Sequence, residues 1–312
     1  MDETTNCSRW EADGSMNGKI HMLNVGDADA IIVQLEQPPD KLNLLIDGGE
    51  NRDHSKKIIS YFKSLNITPD IIICTHLDKD HIGGLRDVLK EYHKDIKSIW
   101  VHRLANHCKS FEIALGAMEV DKIAFPRNER NDYVIASVDD LKNLVQEAEG
   151  YGLQILEPFF DSTDPGIVDR CKKWGIKILG PSKEFYDFLA SKILANYVMA
   201  KIKNDTPENE SSLIFKISNN GKDYLFTGDA GLQAFGDVVR KLTPVHWLKI
   251  PHHGSKKNLN LNLIEKLSPQ KCFISAAGRN GHPDKDLVAC LEKNNAKVEC
   301  TGEKNSDLTE EI

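Results

Sequence analysis

The sequence predicts an α/β protein in which strands and helices alternate along the chain. Short apolar, β-branched runs, such as the one that begins at Ile71, alternate with longer amphipathic segments of helical periodicity. This alternation favours a mixed architecture over separate layers of strands and helices. The 312 residues suffice to bury a core, as one large domain or as two ordinary ones.

The strand-like segments are short, and the first three are closely spaced. Turn signals at Gly26 and at Pro38-Pro39-Asp40 separate these three, which predicts an antiparallel meander. The predicted strands are 20–25, 30–35, 43–46, 70–74, 97–101, 176–179, 213–217, 223–227, 246–250, 271–275 and 296–300. The predicted helices are 53–65, 84–93, 183–203, 231–241, 258–266 and 284–294.

Residues 20–302 are expected to form one domain with polar segments at both ends. Residues 1–19 form a polar leader without the basic head and apolar stretch of a secretory signal, so export is not expected. The segment 103–175 is helix-like only around 138–149 and is expected to be an insertion or a lid. The acidic tail 303–312 is expected to be flexible and frayed.

Charge and cysteine content exclude several classes of protein. Lys and Arg number 40 against 47 Asp and Glu, and the net charge of −7 excludes a generally basic nucleic-acid-coating protein. No apolar run approaches the roughly 18 residues of a membrane-spanning helix, so no membrane association is expected. The seven cysteines include no Cys-x-x-Cys pair, which disfavours a disulfide framework and makes a reducing cytoplasm the expected location.

The clearest chemical signal lies in Thr75-His76-Leu77-Asp78-Lys79-Asp80-His81. This segment follows an apolar strand and precedes Gly83-Gly84, where a helix is predicted to begin. The side chains at 76, 78 and 80 alternate onto one side, and the next residue turns into the same pocket, so two imidazoles and two carboxylates can converge. The spacing His-x-Asp-x-Asp-His predicts a metal loop rather than a solvated polar loop.

Two further segments end apolar strands in residues that bind metals. Thr227-Gly228-Asp229 presents a carboxylate that can bridge two cations, and Pro251-His252-His253-Gly254 presents a pair of imidazoles. Either segment alone would be weak evidence. Together with the loop at 75–81, they predict one binuclear metal site.

Seven segments carry a resemblance to a known family, and they occur in the family's order. They are 21–30, 45–49, 75–84, 209–213, 226–229, 250–255 and 281–283. Through them the chain resembles the metallo-β-lactamase-fold hydrolases, and in particular their ComEC-like branch, over about 20–101 and 176–302. The resemblance implies an αβ/βα sandwich of two mixed sheets flanked by helices, with the metals between the edges of the sheets.

The resemblance also implies ligands for two divalent ions. The implied ligands are His76, Asp78, Asp80, His81, Asp229 and one of His252 and His253. The first two belong to one ion and the others to the second, while Asp229 is expected to bridge both. The candidate catalytic residues are Asp80, which positions the ions, together with His253 and His282. Whichever of His252 and His253 does not bind an ion could hydrogen-bond the substrate or protonate the leaving oxygen, and His282 is the second candidate for that role. For His282, a surface position is the alternative.

Other residues are candidates for contacts around the metals or with the substrate. Asp47 resembles the family's aspartate that orients ligands without binding metal, and Asp29 matches an aspartate near the pocket mouth. The remaining candidates are Asn209, Ser212, Ser255 and Lys256. A cap or turn role is the alternative for Ser212, and a solvated position at a helix start is the alternative for Lys256.

The chain departs from the family pattern in ways that affect the metal. No histidine occurs at 209–212, where many relatives have one, so the first ion position is expected to be weak or completed by water and substrate. Asp78 stands where histidine is commoner. Because oxygen ligands favour harder ions, the expected metal is Mn²⁺, followed by Zn²⁺ and then Mg²⁺.

The leading expectation is a metal-dependent phosphodiesterase, specifically a nuclease that cleaves DNA with a metal-activated water. The ComEC-like branch is associated with degradation of a DNA strand, and without the membrane channel domain the chain is expected to serve as an effector of a partner protein. The alternatives are a hydrolase of small phosphodiesters, nucleotides or esters, and a non-catalytic metal-binding subunit. The acidic net charge disfavours autonomous DNA binding unless a partner or a local basic patch compensates. The candidate patch is Lys94, Lys97, Arg103, Lys256 and Lys257.

Overall fold

Two mixed β-sheets face each other at the centre of the structure. The structure, a computed structural model, describes residues 16–108, 129–199 and 207–312, with side chains described for all of these except 129–135, 195–199 and 280. The first sheet has the strand order β13-β1-β2-β3-β4-β5-β6, and the second has the order β12-β11-β10-β9-β8-β7.

The strands of the first sheet are β1 (Asn17–Met22), β2 (Ile31–Gln37), β3 (Asp40–Ile46), β4 (Ile71–Ile73), β5 (Ser98–Trp100), β6 (Gln154–Leu156) and β13 (Leu308–Glu311). Those of the second sheet are β7 (Ile176–Gly180), β8 (Ile214–Asn219), β9 (Lys222–Phe226), β10 (Trp247–Lys249), β11 (Lys271–Ile274) and β12 (Lys297–Cys300). The predicted antiparallel meander of β1, β2 and β3 is confirmed.

Helices cover the outer faces of both sheets. The helices are α1 (Arg52–Leu65), α2 (Lys79–Ile82), α3 (Leu85–Tyr92), α4 (Leu104–His107), α5 (Glu129–Gly150), α6 (Pro165–Lys173), α7 (Lys183–Met199), α8 (Pro207–Glu210), α9 (Leu232–Val238), α10 (Leu261–Leu267), α11 (Lys285–Lys293) and α12 (Thr301–Lys304). None of the helices in the described ranges combines the length and apolar character needed to cross a membrane.

Three apolar clusters define the layers. The central cluster joins the two sheets through residues such as Trp100 and Trp247, both fully buried. A second cluster packs Phe62 of α1 and Leu89 of α3 onto the outer face of the first sheet. A third packs Phe235 of α9 onto the second sheet. The predicted α/β sandwich of two mixed sheets flanked by helices is confirmed.

Parallel strands bring polar residues to one edge of each sheet. The strands β3, β4, β5 and β6 run parallel in the first sheet, and β9, β10, β11 and β12 run parallel in the second. Side chains that follow these strands therefore gather at their carboxyl ends. Asp47 follows β3, His76 follows β4, Asp229 follows β9 and His253 follows β10.

The expectation of a frayed tail at 303–312 is wrong. The last strand, β13, pairs antiparallel with β1, and Leu308 is only 3% exposed in the central core. Asp307 accepts a hydrogen bond from Lys57 at 2.6 Å. The polar composition of the tail reflects an edge strand with one solvated face rather than a disordered end.

The expected insertion at 103–175 is partly integral to the fold. Within it, β6 extends the first sheet beside β5, and α6 begins at a cap in which Asp164 accepts the Gly166 N–H at 2.7 Å. A three-residue strand is too short to give a periodic signal, so the sequence reads as irregular there. Residues 109–128 of this segment, and 1–15 of the expected leader, lie outside the described residues, while Met16 is buried in the core.

Candidate metal centre

A tight turn places the metal loop beside the end of β3. Asp78 precedes α2, and Gly83 and Gly84 lead from α2 into α3. A Cβ atom at Gly84 would lie 2.1 Å from the Gly48 carbonyl oxygen, and one at Gly83 would lie 2.1 Å from that of Glu50. The Gly-Gly pair therefore allows the loop to lie against the segment that follows Asp47.

Four side chains from both sheets converge at the centre of the site. The ligand atoms of Asp80, His81, Asp229 and His253 all lie within 4.8 Å of one another. His81 Nε2 lies 3.3 Å from Asp229 Oδ2, and His253 Nε2 lies 3.0 Å from Asp80 Oδ2. Carboxylates and imidazoles at this spacing fit a divalent cation.

Asp47 anchors two of the imidazoles without facing the centre. Its Oδ2 accepts hydrogen bonds from His81 Nδ1 at 2.8 Å and from the Thr75 hydroxyl at 2.8 Å. The Thr75 hydroxyl oxygen in turn accepts the Nδ1–H of His76 at 3.1 Å. Both imidazoles thus use Nδ1 as an anchored donor and direct Nε2 toward the site, which is the arrangement that orients metal-binding histidines.

His253 has the same arrangement through a different anchor. Its Nδ1 donates to the carbonyl oxygen of Ser275 at 2.8 Å, which follows β11, and its Nε2 points to Asp80. His252 differs, because its Nδ1 accepts a hydrogen bond from the Asn209 amide at 3.0 Å. Its Nε2 therefore carries the proton and is a hydrogen-bond donor. Both histidines adopt positive φ angles, 47° and 52°, at the turn after β10.

The environment of each imidazole decides its charge. Burial lowers the pKa of His76 well below its usual value, so this ring is neutral with a lone pair at Nε2. Burial also disfavours protonation of His253, but Asp229 and Asp80 outweigh this effect and raise its pKa to about 9. The same balance, with Asp229 and Asp47 as the main partners, raises the pKa of His81. A bound cation would displace the protons of these two rings.

Lys249 is the buried cation behind the centre. Its ammonium is 1% exposed, donates to Oδ1 of Asp229 at 3.1 Å and to the Gly228 carbonyl at 2.7 Å, and forms an ion pair with Asp29. Burial alone would lower its pKa, but the two carboxylates raise it. The His252 N–H also donates to Asp229 Oδ1, at 3.0 Å. Oδ1 of Asp229 therefore accepts hydrogen bonds from Lys249 and the His252 N–H, while Oδ2 faces the imidazoles.

A second group of acids surrounds His76. Its Nε2 lies 3.9 Å from Asp78 Oδ2 and has no hydrogen-bond partner among the described residues. Burial raises the pKa of Asp78 well above its usual value, and the carboxylates of Asp80 and Glu208 raise it further. A buried, neutral imidazole nitrogen beside crowded carboxylates fits a cation, because a positive charge would relieve the repulsion between the acids.

Comparison with known proteins agrees with this geometry. The profile described as "Metallo-beta-lactamase superfamily" matches residues 23–158, which include the metal loop and Asp47. Residues 23–158 thus match a metallo-beta-lactamase superfamily domain. Members of this superfamily are generally metal-dependent hydrolases, and the cluster of Asp80, His81, Asp229 and His253 is the candidate metal-binding site of this chain.

The chain is also similar to a longer protein and to several solved structures. ComE operon protein 3 of Bacillus subtilis (strain 168) is 23% identical over 304 residues, which cover 91% of this chain and 32% of the relative. This chain thus spans about a third of that protein's length. The metallo-beta-lactamase fold protein YhfI from Bacillus subtilis is 12% identical, with a TM-score of 0.48, over 96% of this chain and 100% of the other. AidC, a dizinc quorum-quenching lactonase, is 13% identical, with a TM-score of 0.36, over 91% and 84%.

Three other predicted site residues, Ser212, Asp29 and Ser255, have different partners in the structure. Ser212 accepts the Asp229 N–H at 3.0 Å and so helps to orient that residue. Asp29 pairs with Lys249, and its N–H donates to the Asp80 carbonyl at 3.1 Å. Ser255 makes its hydrogen bonds within its own turn, including one accepted from the Lys257 N–H at 3.3 Å.

His282 borders the site, whereas three of the five residues of the expected basic patch pair with acids. The His282 ring lies 5.8 Å from the His252 ring, and its buried Nδ1 has no partner in the described part of the chain. Lys256 pairs with Asp284 at 3.2 Å and Asp286 at 3.4 Å. Lys97 pairs with Asp70, and Arg103 pairs with Glu149 and Glu157.

Sequence reasoning missed four residues of the site. They are Lys249, which pairs with Asp229, and Glu208, which raises the pKa of Asp78. The other two are Thr75 and Ser275, which anchor Nδ1 of His76 and His253. A lysine within the apolar run 247–250 was a usable signal, because a strand buried on both faces tolerates a lysine only when its charge is paired. The carbonyl of Ser275 carries no signal in the sequence, since any residue has a carbonyl.

Proposed function

We propose that this chain is a metal-dependent phosphodiesterase that cleaves DNA. The observation that carries this proposal is the common orientation of three imidazoles. His76, His81 and His253 each hold Nδ1 in a hydrogen bond to the protein and direct Nε2 toward a group of carboxylates. Such a set of donors fits two divalent ions, which stabilise the charge that develops in phosphoryl transfer.

Two ion positions are proposed. His76 and Asp78 would hold the first ion, Asp80, His81 and His253 would hold the second, and Asp229 is proposed to serve both. Asp47 orients the ligands from behind. His252 is proposed to stay outside both positions, because its Nδ1 accepts a hydrogen bond from Asn209 and its Nε2 therefore carries the proton instead of a free lone pair.

The ligand chemistry favours a hard or intermediate ion. Asp78, Asp80 and Asp229 offer carboxylate oxygens beside three imidazoles, and no thiol is among the cluster residues in the described part of the chain. Oxygen-rich sites suit Mn²⁺ and Mg²⁺, whereas the general affinity order favours Zn²⁺ over both. We therefore rank Mn²⁺ first, Zn²⁺ second and Mg²⁺ third.

The proposed reaction needs no nucleophile from the protein. Bound divalent ions would supply Lewis acidity for the phosphate and lower the pKa of the attacking water. Asp80 and Asp229 fix the ligand geometry. His252 presents its Nε2–H as a donor to a phosphate oxygen, and His282 stands next to it as the candidate donor to the leaving oxygen.

DNA is the proposed substrate because of the resemblance to the ComEC-like branch, which the similarity to ComE operon protein 3 supports. The pairing of Lys97, Arg103 and Lys256 with acids reduces the free positive charge that the expected patch offers for autonomous binding. We therefore propose that a partner protein delivers the substrate. The same pairing favours a second candidate, hydrolysis of a small phosphodiester or nucleotide, which needs less positive charge.

The proposed location is the cytoplasm. Six cysteines of the described residues are free thiols, of which Cys74, Cys171, Cys272 and Cys300 are buried. Free thiols are typical of a reducing compartment.

A panel of substrates tests the reaction class. Wild type and Asp80→Ala would be assayed with bis-p-nitrophenyl phosphate, p-nitrophenyl acetate and a β-lactam in Mn²⁺, Zn²⁺ and Mg²⁺, with Asp40→Asn as an exposed control. We expect turnover of the diester alone by wild type and the control, and none by Asp80→Ala. Turnover of the ester or lactam but not the diester, or equal rates in wild type and Asp80→Ala, would overturn the proposal.

A further inference from the structure

A groove lies beside the metal centre at the carboxyl ends of β11 and β12. Its volume is about 610 Å³, which is in the range of small-molecule sites. The loop after β11 forms one wall through Ala277 and Gly278, and α11 forms the other through Val288 and Ala289. The loop at 277–279 is held in place by Asp27, which accepts the N–H groups of Ala277 and Arg279.

The groove continues the row of sites along one sheet edge. The parallel strands β9, β10, β11 and β12 are neighbours, so the residues that follow them are neighbours as well. Asp229 follows β9 and His253 follows β10, and the groove is the next feature along the same edge. His282 joins the two, because it lines the groove and its ring lies 5.8 Å from that of His252.

The lining of the groove fits an uncharged ring with hydrogen-bonding edges. Methyl groups of Ala277, Val288 and Ala289 offer an apolar surface, and Lys285 and two glutamates, Glu292 and Glu303, stand at its border. The glutamates would repel a phosphate but can accept hydrogen bonds from amino or imino groups, while the lysine can donate to a ring carbonyl.

Two glycines keep the floor of the groove open. Gly278 and Gly281 have φ angles of +84° and +77°, which disfavour other residues, and a Cβ atom at either would meet nothing within 4 Å. The backbone there is accessible to a flat ligand. His282 follows directly, with a buried Nδ1 that has no partner among the described residues.

We propose that this groove, with His282 at its inner end, binds the nucleobase of the nucleotide whose phosphate lies at the metal centre. The inference rests on the proposed phosphodiesterase function and specifies the part of the substrate that lies next to the scissile phosphate. It assigns to the 276–303 region the selection of substrates that carry a base.

Equilibrium binding tests the groove without catalysis. The full chain in Mn²⁺ would be titrated calorimetrically with thymidine 5′-monophosphate and, separately, with 2-deoxyribose 5-phosphate, which lacks the base. We expect the nucleotide to bind at least about tenfold more tightly, a difference that the base contributes. Ala289→Trp, at an exposed position that lines the groove, should abolish this preference. Lys293→Trp, at an exposed position on the same helix outside the lining, should retain it.

Three other outcomes would overturn the proposal that the groove binds the base. Equal affinity of wild type for both ligands, a preference that persists in Ala289→Trp, or its loss in Lys293→Trp would show that the groove does not bind the base. The outcome of this binding experiment can be distinguished from the outcome of the hydrolysis assay. Base-dependent binding without diester hydrolysis would overturn the phosphodiesterase, whereas hydrolysis without base-dependent binding would overturn only the groove.

Discussion

Lys249 donates a 3.1 Å hydrogen bond to Oδ1 of Asp229, while His81 and His253 approach Oδ2 of the same carboxylate at 3.3 and 3.9 Å. The two oxygens of Asp229 thus have different roles, one toward the protein and one toward the metal centre. The buried ammonium also pairs with Asp29, so one lysine compensates two buried carboxylates. Removal of its charge would leave both acids with only the imidazoles of His81 and His253 as positive partners in the metal-free protein.

Replacement of Lys249 by methionine should therefore destabilise the metal-free protein. Loss of one partner from a buried charge network costs about 3–5 kcal/mol of the free energy of unfolding. Urea unfolding in the presence of a chelator measures this cost. Lys256→Met is the matched control, because Lys256 forms only exposed ion pairs and its loss should have a small effect. Similar effects of the two substitutions would contradict the assigned role of Lys249.

Substitution of Asp47 by asparagine should weaken metal binding without removing a ligand. The carboxylate accepts hydrogen bonds from His81, from the Thr75 hydroxyl and from the Thr75 N–H, and these bonds use both of its oxygens. An asparagine amide has a single oxygen, so it cannot accept all three. Changes to such supporting groups lower metal affinity about 10–100-fold. Calorimetric titration with Mn²⁺ measures the change. An affinity equal to that of wild type would show that Asp47 does not orient the imidazoles.

The two adjacent histidines should respond differently to alanine substitution. His253→Ala removes an Nε2 that faces Asp80, so one bound ion should be lost or bound at least about 100-fold more weakly. His252→Ala should retain both ions and lose activity, because it removes only a donor to the substrate. Elemental analysis after dialysis against Mn²⁺ gives the stoichiometry. Retention of both ions by His253→Ala with loss in His252→Ala would reverse the assignment.

Truncation of Leu308 should reveal whether the last strand contributes to the core. Leu308→Ala removes a buried side chain, which costs about 2–5 kcal/mol. Thr309→Ala is the control, since Thr309 is exposed on the same strand. Denaturant unfolding of both variants compares the two. A frayed tail would instead make both substitutions neutral.

Much of the site follows from local sequence. A run of apolar residues predicts each of the strands β4, β9 and β10, and the rule that parallel strands share a carboxyl edge brings the loop at 75–81, Asp229 and the histidine pair together. The spacing in the loop at 75–81 predicts that the loop binds a metal ion. These signals suffice to predict the strands and the loop because each signal is contained in a few consecutive residues.

Other features depend on contacts between distant parts of the chain. The distinction between His252 and His253 depends on the Ser275 carbonyl and the Asn209 amide, which lie at least 22 residues away. The pairing of β13 with β1 joins the two ends of the described chain, and its polar face gives no sign of order. The strand β6 is only three residues long and is ordered by its neighbour β5. In each case the tertiary structure overrides a weak local signal.

Digestion of end-labelled linear DNA and of plasmid DNA in Mn²⁺, by wild type beside Asp80→Ala, tests the central claim most directly. The proposed function predicts that wild type cleaves DNA, that a chelator stops the reaction, and that Asp80→Ala, although folded, is inactive. Cleavage by both proteins would indicate a contaminating nuclease. Intact DNA in every reaction would contradict cleavage of DNA by the chain alone, and turnover of bis-p-nitrophenyl phosphate by wild type would then indicate either a phosphodiesterase of small substrates or a nuclease that acts only with its partner protein.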